Sequence, residues 1–374
     1  MKAIINATIY TGEQKIENGY LLYTDKIEKI GKMDESITFP DEVIDAKGNI
    51  IIPGMIDVHV HGGYEVDVMD GDAEAILKMS ESFIKEGVTS FFPTTMTQDH
   101  GEIKKAVQAC KQAKEMGATI EGIHVEGPFV SKVRAGAQPL EYICKPDVSI
   151  MKEWQEESGR LVKLVTYAPE EEGAKELEAY FKEEGIVGTA GHTDAVYDTF
   201  SEHHVTHFTH LYNQMRGLHH REPGVVGYAL LSDDAYVEII PDGIHIHPKM
   251  VELAYKLKGA KRVVVITDAM RAKGLADGLY ELGGQPVHVK DGSARLDDGT
   301  LAGSIIKMID AFKNIIKFTG CSIEEAVQMT SVNQAEEFNL TQKGALKVGK
   351  DADFLMLNDN LDLLTSFSRG RNFQ

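Results

Sequence analysis

Residues 55–63 read Met-Ile-Asp-Val-His-Val-His-Gly-Gly, an apolar run that ends in two histidines and a glycine pair. Alternate residues of an extended strand point to the same face, so His59 and His61 project together. Two imidazoles at the end of a buried strand can share one metal ion. This stretch predicts the first strand of a fold that carries its chemistry at the strand ends.

Seven more strand-like apolar runs follow along the chain. Together with the first, the runs cover residues 55–59, 88–92, 120–125, 161–166, 186–190, 205–208, 236–240 and 263–267. Amphipathic helical segments separate most of them, for example 72–86, 102–116 and 170–184. Repeated strand-then-helix units favour a parallel sheet, and eight of them favour a (β/α)8 TIM-like barrel of the α/β class.

The two ends of the chain have a different pattern. Short β-prone runs separated by turns occupy residues 3–10, 20–23 and 43–46, and residues 26–31 carry a weaker strand pattern. Residues 344–357 have turn glycines followed by another β-rich run. We expect both ends to pair in one small β-sandwich domain, residues 1–52 plus 341–374, beside a metal-dependent catalytic barrel at residues 53–340.

The amino-acid composition limits the classes of partner that we expect the protein to bind. The 374 residues carry a formal net charge of −19, which argues against nucleic acid, although a local arginine could still bind a phosphorylated small molecule. Cys110, Cys144 and Cys321 lie far apart with no CxxC pair, as is usual in a reducing cytoplasm. No signal-peptide pattern and no apolar run of about 20 residues is present. We therefore expect a cytoplasmic protein without a membrane or nucleic-acid partner.

Polar residues follow several of the predicted strands. Glu126 ends the third, His192 follows the fifth, His210 follows the sixth and Asp268 follows the eighth. His210 is preferred to His207 because it stands at the predicted strand end. Barrel enzymes place catalytic groups at these ends. Imidazoles and a carboxylate suit Zn²⁺ or Fe²⁺ with an open position for water, and an aspartate can transfer protons, so the pattern indicates metal-dependent hydrolysis at a carbonyl-like carbon.

Eight short motifs then occur in a fixed order. They are HVHGG at 59–63, HVEGPF at 124–129, GHT at 191–193, HLYNQM at 210–215, REPGVVG at 221–227, PDGIH at 241–245, TDAM at 267–270 and LAGS at 301–304. The ordered set, which spans most of the chain, resembles the N-acetylglucosamine-6-phosphate deacetylases of the amidohydrolase superfamily. The closing residues 344–357 are also similar to that superfamily's return to its β domain.

This resemblance implies removal of acetate from N-acetyl-D-glucosamine 6-phosphate. Glu126, His192 and His210 would be the main metal ligands, and His59 and His61 would hold a second ion. Some members lack the paired histidines and use one metal, so their presence suggests two ions with Glu126 bridging them. Asp268 would act as general base and then as general acid. Zinc and iron both stay open, as do one and two ions per subunit.

The resemblance also implies a set of substrate contacts, which are Ala137, Gln138, Asn213, Gln214, Arg221, Asp242, Gly243, Ile244, His245, Leu301, Ala302 and Gly303. Arg221 resembles the family's phosphate-binding arginine, which reaches in from the neighbouring subunit, so a homodimer is implied. Many members carry histidine at Gln138 and alanine at Gln214, and these two departures bear on substrate preference.

Two alternatives remain. A cyclic amidase of the dihydroorotase or dihydropyrimidinase type typically carries a carboxylated lysine at the end of the fourth strand, whereas Lys163 lies within that run and Glu126 supplies a carboxylate from the third. A non-catalytic scaffold barrel would be expected to lose metal ligands or Asp268, and all are present.

Overall fold

The computed structural model describes residues 1–34 and 37–374. Strands and helices are numbered in chain order. Both chain ends contribute to one eight-stranded sheet, whose strands are β1 (Lys2–Tyr10), β2 (Lys15–Tyr23), β3 (Ile27–Lys32), β4 (Val43–Asp45), β5 (Ile50–Pro53), β19 (Phe354–Leu357), β20 (Leu363–Ser368) and β21 (Arg371–Phe373). In this sheet β5 pairs antiparallel with β19, with Ile51 opposite Met356. The expected pairing of the two chain ends is thereby confirmed.

This terminal sheet curls over its own core. The rings of Tyr23 on β2 and Phe354 on β19 have centroids 5.1 Å apart, although β1 and β5 lie between those strands in the sheet. A flat sheet would separate them by about 14 Å, since neighbouring strands lie about 4.8 Å apart. Phe367 on β20 stacks on Phe354 at 4.3 Å. The result is a small β domain, as expected, while its exact limits at residues 52 and 341 stay a prediction.

Eight parallel strands form the second large sheet. They are β6 (Met55–Val60), β9 (Val88–Thr95), β10 (Ile123–Glu126), β11 (Val162–Tyr167), β12 (Val187–Ala190), β13 (His207–Phe208), β14 (Tyr236–Ile239) and β15 (Val263–Val265). They neighbour one another in sequence order, from β6 to β15. Each corresponds to one of the eight predicted runs, so the TIM-like barrel is confirmed.

The first and last barrel strands meet just beyond β15. Val60 bridges Ala269, and the Asp57 carboxylate accepts a hydrogen bond from the Thr267 hydroxyl at 2.6 Å. All four residues are buried. This contact brings His59 and His61 next to Asp268, which follows the last strand.

Helices pack around the barrel. They are α1 (Ala73–Lys85), α2 (His100–Met116), α3 (Val148–Glu157), α4 (Ala174–Glu184), α5 (Gly224–Leu231), α6 (Pro248–Lys258), α7 (Met308–Thr319), α8 (Ile323–Val327) and α9 (Asn333–Glu337). In α1, the Asp72 side chain caps the backbone N–H groups of Glu74 and Ala75, and Ile76, Met79 and Phe83 lie on its buried face. The fifth barrel strand, β12, is followed by a short 3-10 helix, Tyr197–Ser201.

Along the chain, a three-stranded antiparallel sheet follows the last barrel strand and precedes α7. It consists of β16 (Gly278–Leu282), β17 (Gln285–Lys290) and β18 (Ser293–Arg295), while a two-residue pair, β7 (Gly62–Gly63) and β8 (Val66–Asp67), follows β6. Leu282 packs in a buried cluster with Met96 and Met270, and Gln285 Nε2 donates to the Ala137 carbonyl at 2.7 Å. This sheet, which the sequence pattern did not reveal, therefore covers one side of the barrel mouth.

Among the described residues, every helix falls short of the length and apolar character that crossing a bilayer requires.

Candidate active site

Glu126, His192 and His210 converge at the mouth of the barrel. Glu126 Oε1 lies 3.3 Å from His192 Nε2 and 3.0 Å from His210 Nε2, and the two imidazole nitrogens are 3.1 Å apart. Ligands held about 2.1 Å from one tetrahedral ion would be roughly 3.4 Å from one another. All three side chains are buried. The spacing therefore suits a common divalent ion.

The paired histidines of β6 face the other side of the same carboxylate. His61 Nε2 lies 3.2 Å from Glu126 Oε2 and 3.2 Å from Asp268 Oδ1. His59 Nε2 lies 3.4 Å from Asp268 Oδ1 and 3.6 Å from Glu126 Oε1. Glu126 thus stands between two groups of donors, one formed with His192 and His210 and one with His59, His61 and Asp268.

Three of these residues have backbone conformations in the strained left-handed region. His192, His210 and Asp268 follow β12, β13 and β15, and their φ angles are +47°, +30° and +49°. Residues with a side chain rarely adopt this left-handed region, at a cost of about 1–3 kcal/mol each. Each of the three residues contacts the cluster, since His192 and His210 lie next to Glu126 and Asp268 lies next to His61.

The electrostatics of the cluster favour a cation. Burial opposes protonation of His61, but Asp268 and Glu126 outweigh it and raise its pKa to about 9. Burial likewise opposes protonation of His59, but Asp268, Glu238 and Glu126 hold its pKa well above the usual range. Among the described residues, the buried His59 Nε2 has no hydrogen-bond partner. A divalent ion can replace these protons and satisfy that nitrogen, so the residues present fit a metal.

Asp268 lies beside the paired histidines, within 3.4 Å of His59 Nε2 and His61 Nε2. Burial would raise its pKa, but His59 and His61 outweigh burial and lower it. Its carboxylate is therefore ionised at neutral pH and can accept a proton. With a side chain 11% exposed, it also remains reachable from the cavity at the barrel mouth.

That cavity has a volume of about 300 Å³ and contains most of the predicted site. Its lining includes His61, Glu126, Ala137, Gln138, His192, His210, Asn213, Gln214, His245, Asp268, Leu301 and Gly303. His59 lies behind this lining and is fully buried. Residues far apart in the chain are thus brought to one cavity beside the metal-ligating cluster.

Several predicted contacts lie outside the cavity lining. Asp242 accepts hydrogen bonds from the Ile244 and His245 backbone at 2.8 Å and from His245 Nδ1 at 2.6 Å, so it orients His245. Gly243 and Ile244 are exposed, and Ala302 is buried behind Leu301 and Gly303. Arg221 is exposed, with Nη1 2.8 Å from His220 Nε2, and does not reach the cavity of its own chain.

Gln138 and Gln214, the two residues that depart from the family pattern, both line the cavity. Gln138 Nε2 donates to Glu126 Oε2 at 2.8 Å, and its Oε1 accepts from the Thr97 backbone at 2.9 Å. Gln214 packs against Gly136, where an added Cβ would lie 2.7 Å from Gln214 Cγ. Gln138 therefore orients the central carboxylate, and Gln214 fills the wall of the cavity.

Four further residues line the cavity, namely Met96, Leu282, Arg295 and Thr300. Arg295 ends β18 and donates to the Gly299 carbonyl at 2.8 Å. The motif LAGS follows Thr300 directly, so its position could have indicated Thr300. Met96 directly follows β9, so the end of that strand could have indicated it. For Leu282 and Arg295 no local pattern marks a site, because they reach the cavity only through the packing of the three-stranded sheet.

Lys163 lies at the opposite end of the barrel from this site. It is the second residue of β11, and an added Cβ at Gly122, which precedes β10, would lie 2.9 Å from its Cδ. Both positions are at the amino ends of the strands. The lysine that a cyclic amidase would need is therefore at the wrong end.

Comparison with known proteins agrees with this geometry. The model of the amidohydrolase family matches residues 50–372. The N-acetylglucosamine-6-phosphate deacetylase of Bacillus subtilis (strain 168) is 43% identical, over 98% of this chain and 96% of that protein. The crystal structure of the Thermotoga maritima N-acetylglucosamine-6-phosphate deacetylase superposes with a TM-score of 0.89 at 32% identity, over 100% of this chain and 99% of that one.

A Mycobacterium smegmatis N-acetyl-D-glucosamine-6-phosphate deacetylase variant, solved in complex with N-acetyl-D-glucosamine 6-phosphate, superposes with a TM-score of 0.94. It is 28% identical, over 100% of this chain and 99% of that one. The similarity runs through both the barrel and the terminal sheet. By its sequence, its fold and its cluster of metal-ligating residues, this chain belongs to the amidohydrolase family.

Proposed function

We propose that this protein hydrolyses the N-acetyl group of N-acetyl-D-glucosamine 6-phosphate, giving D-glucosamine 6-phosphate and acetate. The observation that carries the proposal is the meeting of Glu126, His192, His210 and Asp268 at one cavity of about 300 Å³. The names of the relatives support the substrate, since they are deacetylases of this sugar phosphate over nearly the whole chain.

Glu126, His192 and His210 would hold one divalent ion, and His59 and His61, with Glu126 as a bridge, would hold a second. Either zinc or iron suits these ligands. When bound, such an ion polarises a carbonyl group and lowers the pKa of a water molecule. Gln138 supports the arrangement because its amide N–H fixes one oxygen of the shared carboxylate.

Asp268 would move the protons. Its ionised carboxylate first accepts a proton from the attacking water, and it then donates that proton to the amine nitrogen as the carbon–nitrogen bond breaks. One group can do both because the water attacks, and the amine leaves, the same carbonyl carbon. Asp268 Oδ1 lies 3.2 Å from His61 Nε2, so the carboxylate is next to the proposed metal ligands.

The sugar would lie against the outer part of the cavity, where Asn213, Gln214, His245 and Leu301 are exposed to it. Asp242 to Ile244 and Ala302 would contribute by supporting this wall. The phosphate would meet Arg221 of a neighbouring subunit, and the protein would be a homodimer. We also propose a cytoplasmic location, since the three cysteines are free thiols, and two domains with limits at residues 52 and 341.

Acetate release from a panel of sugars tests the proposed substrate. We expect N-acetylglucosamine 6-phosphate to be hydrolysed with a higher kcat/KM than its C4 epimer, N-acetylgalactosamine 6-phosphate, and than unphosphorylated N-acetylglucosamine. Gln138 and Gln214 could shift this order, so both should also be changed to the family's histidine and alanine. A preference for cyclic amides over every acetylated sugar would contradict the proposal.

Replacing Arg221 by alanine should weaken selection for the phosphate. A charged hydrogen bond contributes about 1.5–3 kcal/mol, so kcat/KM for the phosphorylated sugar should fall by about 10- to 100-fold. The unphosphorylated sugar should be hydrolysed as before. Arg160→Ala is a matched control, since Arg160 pairs with Glu184 at the other end of the barrel. Unchanged discrimination in the Arg221 variant would exclude the phosphate role.

Mixing two variants tests whether the arginine comes from the neighbour. In a hybrid dimer of Arg221→Ala and Asp268→Asn chains, one site keeps Asp268 and receives an intact Arg221. Activity should therefore rise above the sum of the two separate variants after the subunits have exchanged. No gain in a mixture shown to contain hybrid dimers would mean that Arg221 does not act across an interface.

A further inference from the structure

Glu238 connects the two groups of metal-ligating residues from behind. It lies on β14, and its side chain is fully buried. Its Oε2 is 2.9 Å from His59 Nδ1 and also accepts the His210 backbone N–H at 2.9 Å. One carboxylate oxygen therefore contacts a histidine of one donor group and the backbone of a histidine of the other.

The other oxygen of Glu238 belongs to a buried chain of charges. Oε1 lies 3.2 Å from His207 Nε2, and His207 Nδ1 lies 2.7 Å from Glu337 Oε1. Burial opposes protonation of His207, but Glu337 and Glu238 outweigh it and raise its pKa to about 10. His207 therefore lies between the two buried carboxylates and can donate a hydrogen bond to each, which helps to keep Glu238 anionic although it is fully buried.

An anionic neighbour fixes the proton of His59. A neutral imidazole carries one proton, and a metal binds the nitrogen that lacks it. Because Nδ1 faces a carboxylate that can only accept, the proton belongs on Nδ1. The lone pair of Nε2 then points toward Glu126 and Asp268, where no hydrogen-bond partner satisfies it among the described residues.

We infer that Glu238 is a positioning residue that sets the tautomer of His59 and thereby controls binding of the second metal ion. The inference rests on the two-metal centre of the proposed function. His207 and Glu337 act through Glu238, and neither touches the proposed ions. His207 is not among the predicted metal ligands, and this chain of contacts gives it a different role.

Metal titration of Glu238→Gln tests the inference. The glutamine amide is nearly isosteric with the glutamate carboxylate but uncharged. It therefore no longer favours a proton on the nitrogens of His59 and His207 that face it. Losing such a partner typically costs 10- to 100-fold in metal affinity, and we expect about that loss at the weaker Zn²⁺ site, with the tighter site nearly unchanged. Glu337→Gln is the matched control, since it removes a buried carboxylate of the same chain but leaves the contact between Glu238 and His59. It should lose less affinity at the weaker site than Glu238→Gln does, because Glu337 acts on His59 only through His207 and Glu238.

Equal affinity in Glu238→Gln and wild type, or equal loss at both sites, would overturn the inference. A second measurement covers the case in which the variant does not fold. In metal-free wild type, the nitrogen chemical shifts of His59 should show that Nδ1 bears the proton whenever the ring is neutral, and a proton on Nε2 instead would refute the role. Neither measurement involves acetate release, so a failed activity assay would contradict the proposed function separately.

Discussion

Replacing Asp268 by asparagine should lower kcat for acetate release by about 10²- to 10⁴-fold, the range typical for loss of a general acid–base group. The amide keeps the size of the side chain but cannot accept the proton of the water or return it to the amine. Metal content should stay close to that of wild type, because Glu126, His192 and His210 are unaltered. Acetate release and metal analysis on the same sample give both quantities.

Asp297→Asn is the control for this change. Asp297 is exposed, pairs with His288 at 2.7 Å and lies outside the cavity lining, so the same chemical substitution there should leave turnover unaltered. Near-normal turnover in the Asp268 variant would remove Asp268 from proton transfer. A loss of metal in parallel with activity would instead make it mainly a ligand, together with His59 and His61.

Replacing Glu126 by glutamine should remove most of the bound metal and with it nearly all activity. Glu126 lies within 3.6 Å of the imidazole nitrogens of His59, His61, His192 and His210, so one substitution weakens both donor groups. An amide lacks the charge that holds a divalent ion. The loss of metal affinity should exceed the 10- to 100-fold that removing an outer partner typically costs.

Glu153→Gln is suited as its control. Glu153 is partly exposed and pairs with Lys104 and His100 on the outer helices α2 and α3, away from the cavity. Its variant should keep metal and activity. If the Glu126 variant were purified with a full metal complement and turned over normally, the shared carboxylate could not be a ligand.

The structure could be predicted best where a single local pattern of residues determines it. The eight barrel strands are buried on both faces and therefore form apolar runs that need no knowledge of their partners. His59 and His61 could be paired because residues two apart share a face of a strand. His210 could be preferred to His207 because it follows the apolar run, and in the structure it contacts Glu126 while His207 contacts Glu238 and Glu337.

Other parts depend on contacts that no local pattern contains. Strands β16 and β18 are short and show little alternation, and β17 alternates only over Val287 to Lys290, which is too short a run to reveal a sheet. No separate strand is predicted at the positions of β20 and β21, although they complete the terminal sheet within the predicted β domain. Glu238 did carry a signal, which is a charged residue inside the buried run of β14. Only the folded chain shows that its partners are His59, His207 and the His210 backbone.

The most direct test of the central claim is acetate release from N-acetylglucosamine 6-phosphate before and after the metal is removed. We expect acetate and glucosamine 6-phosphate in equal amounts from the metal-loaded protein, loss of the reaction when a chelator has taken the bound ions, and recovery on adding Zn²⁺ or Fe²⁺. Undiminished release by protein shown to contain no metal would contradict the claim that Glu126, His192 and His210 hold a catalytic ion.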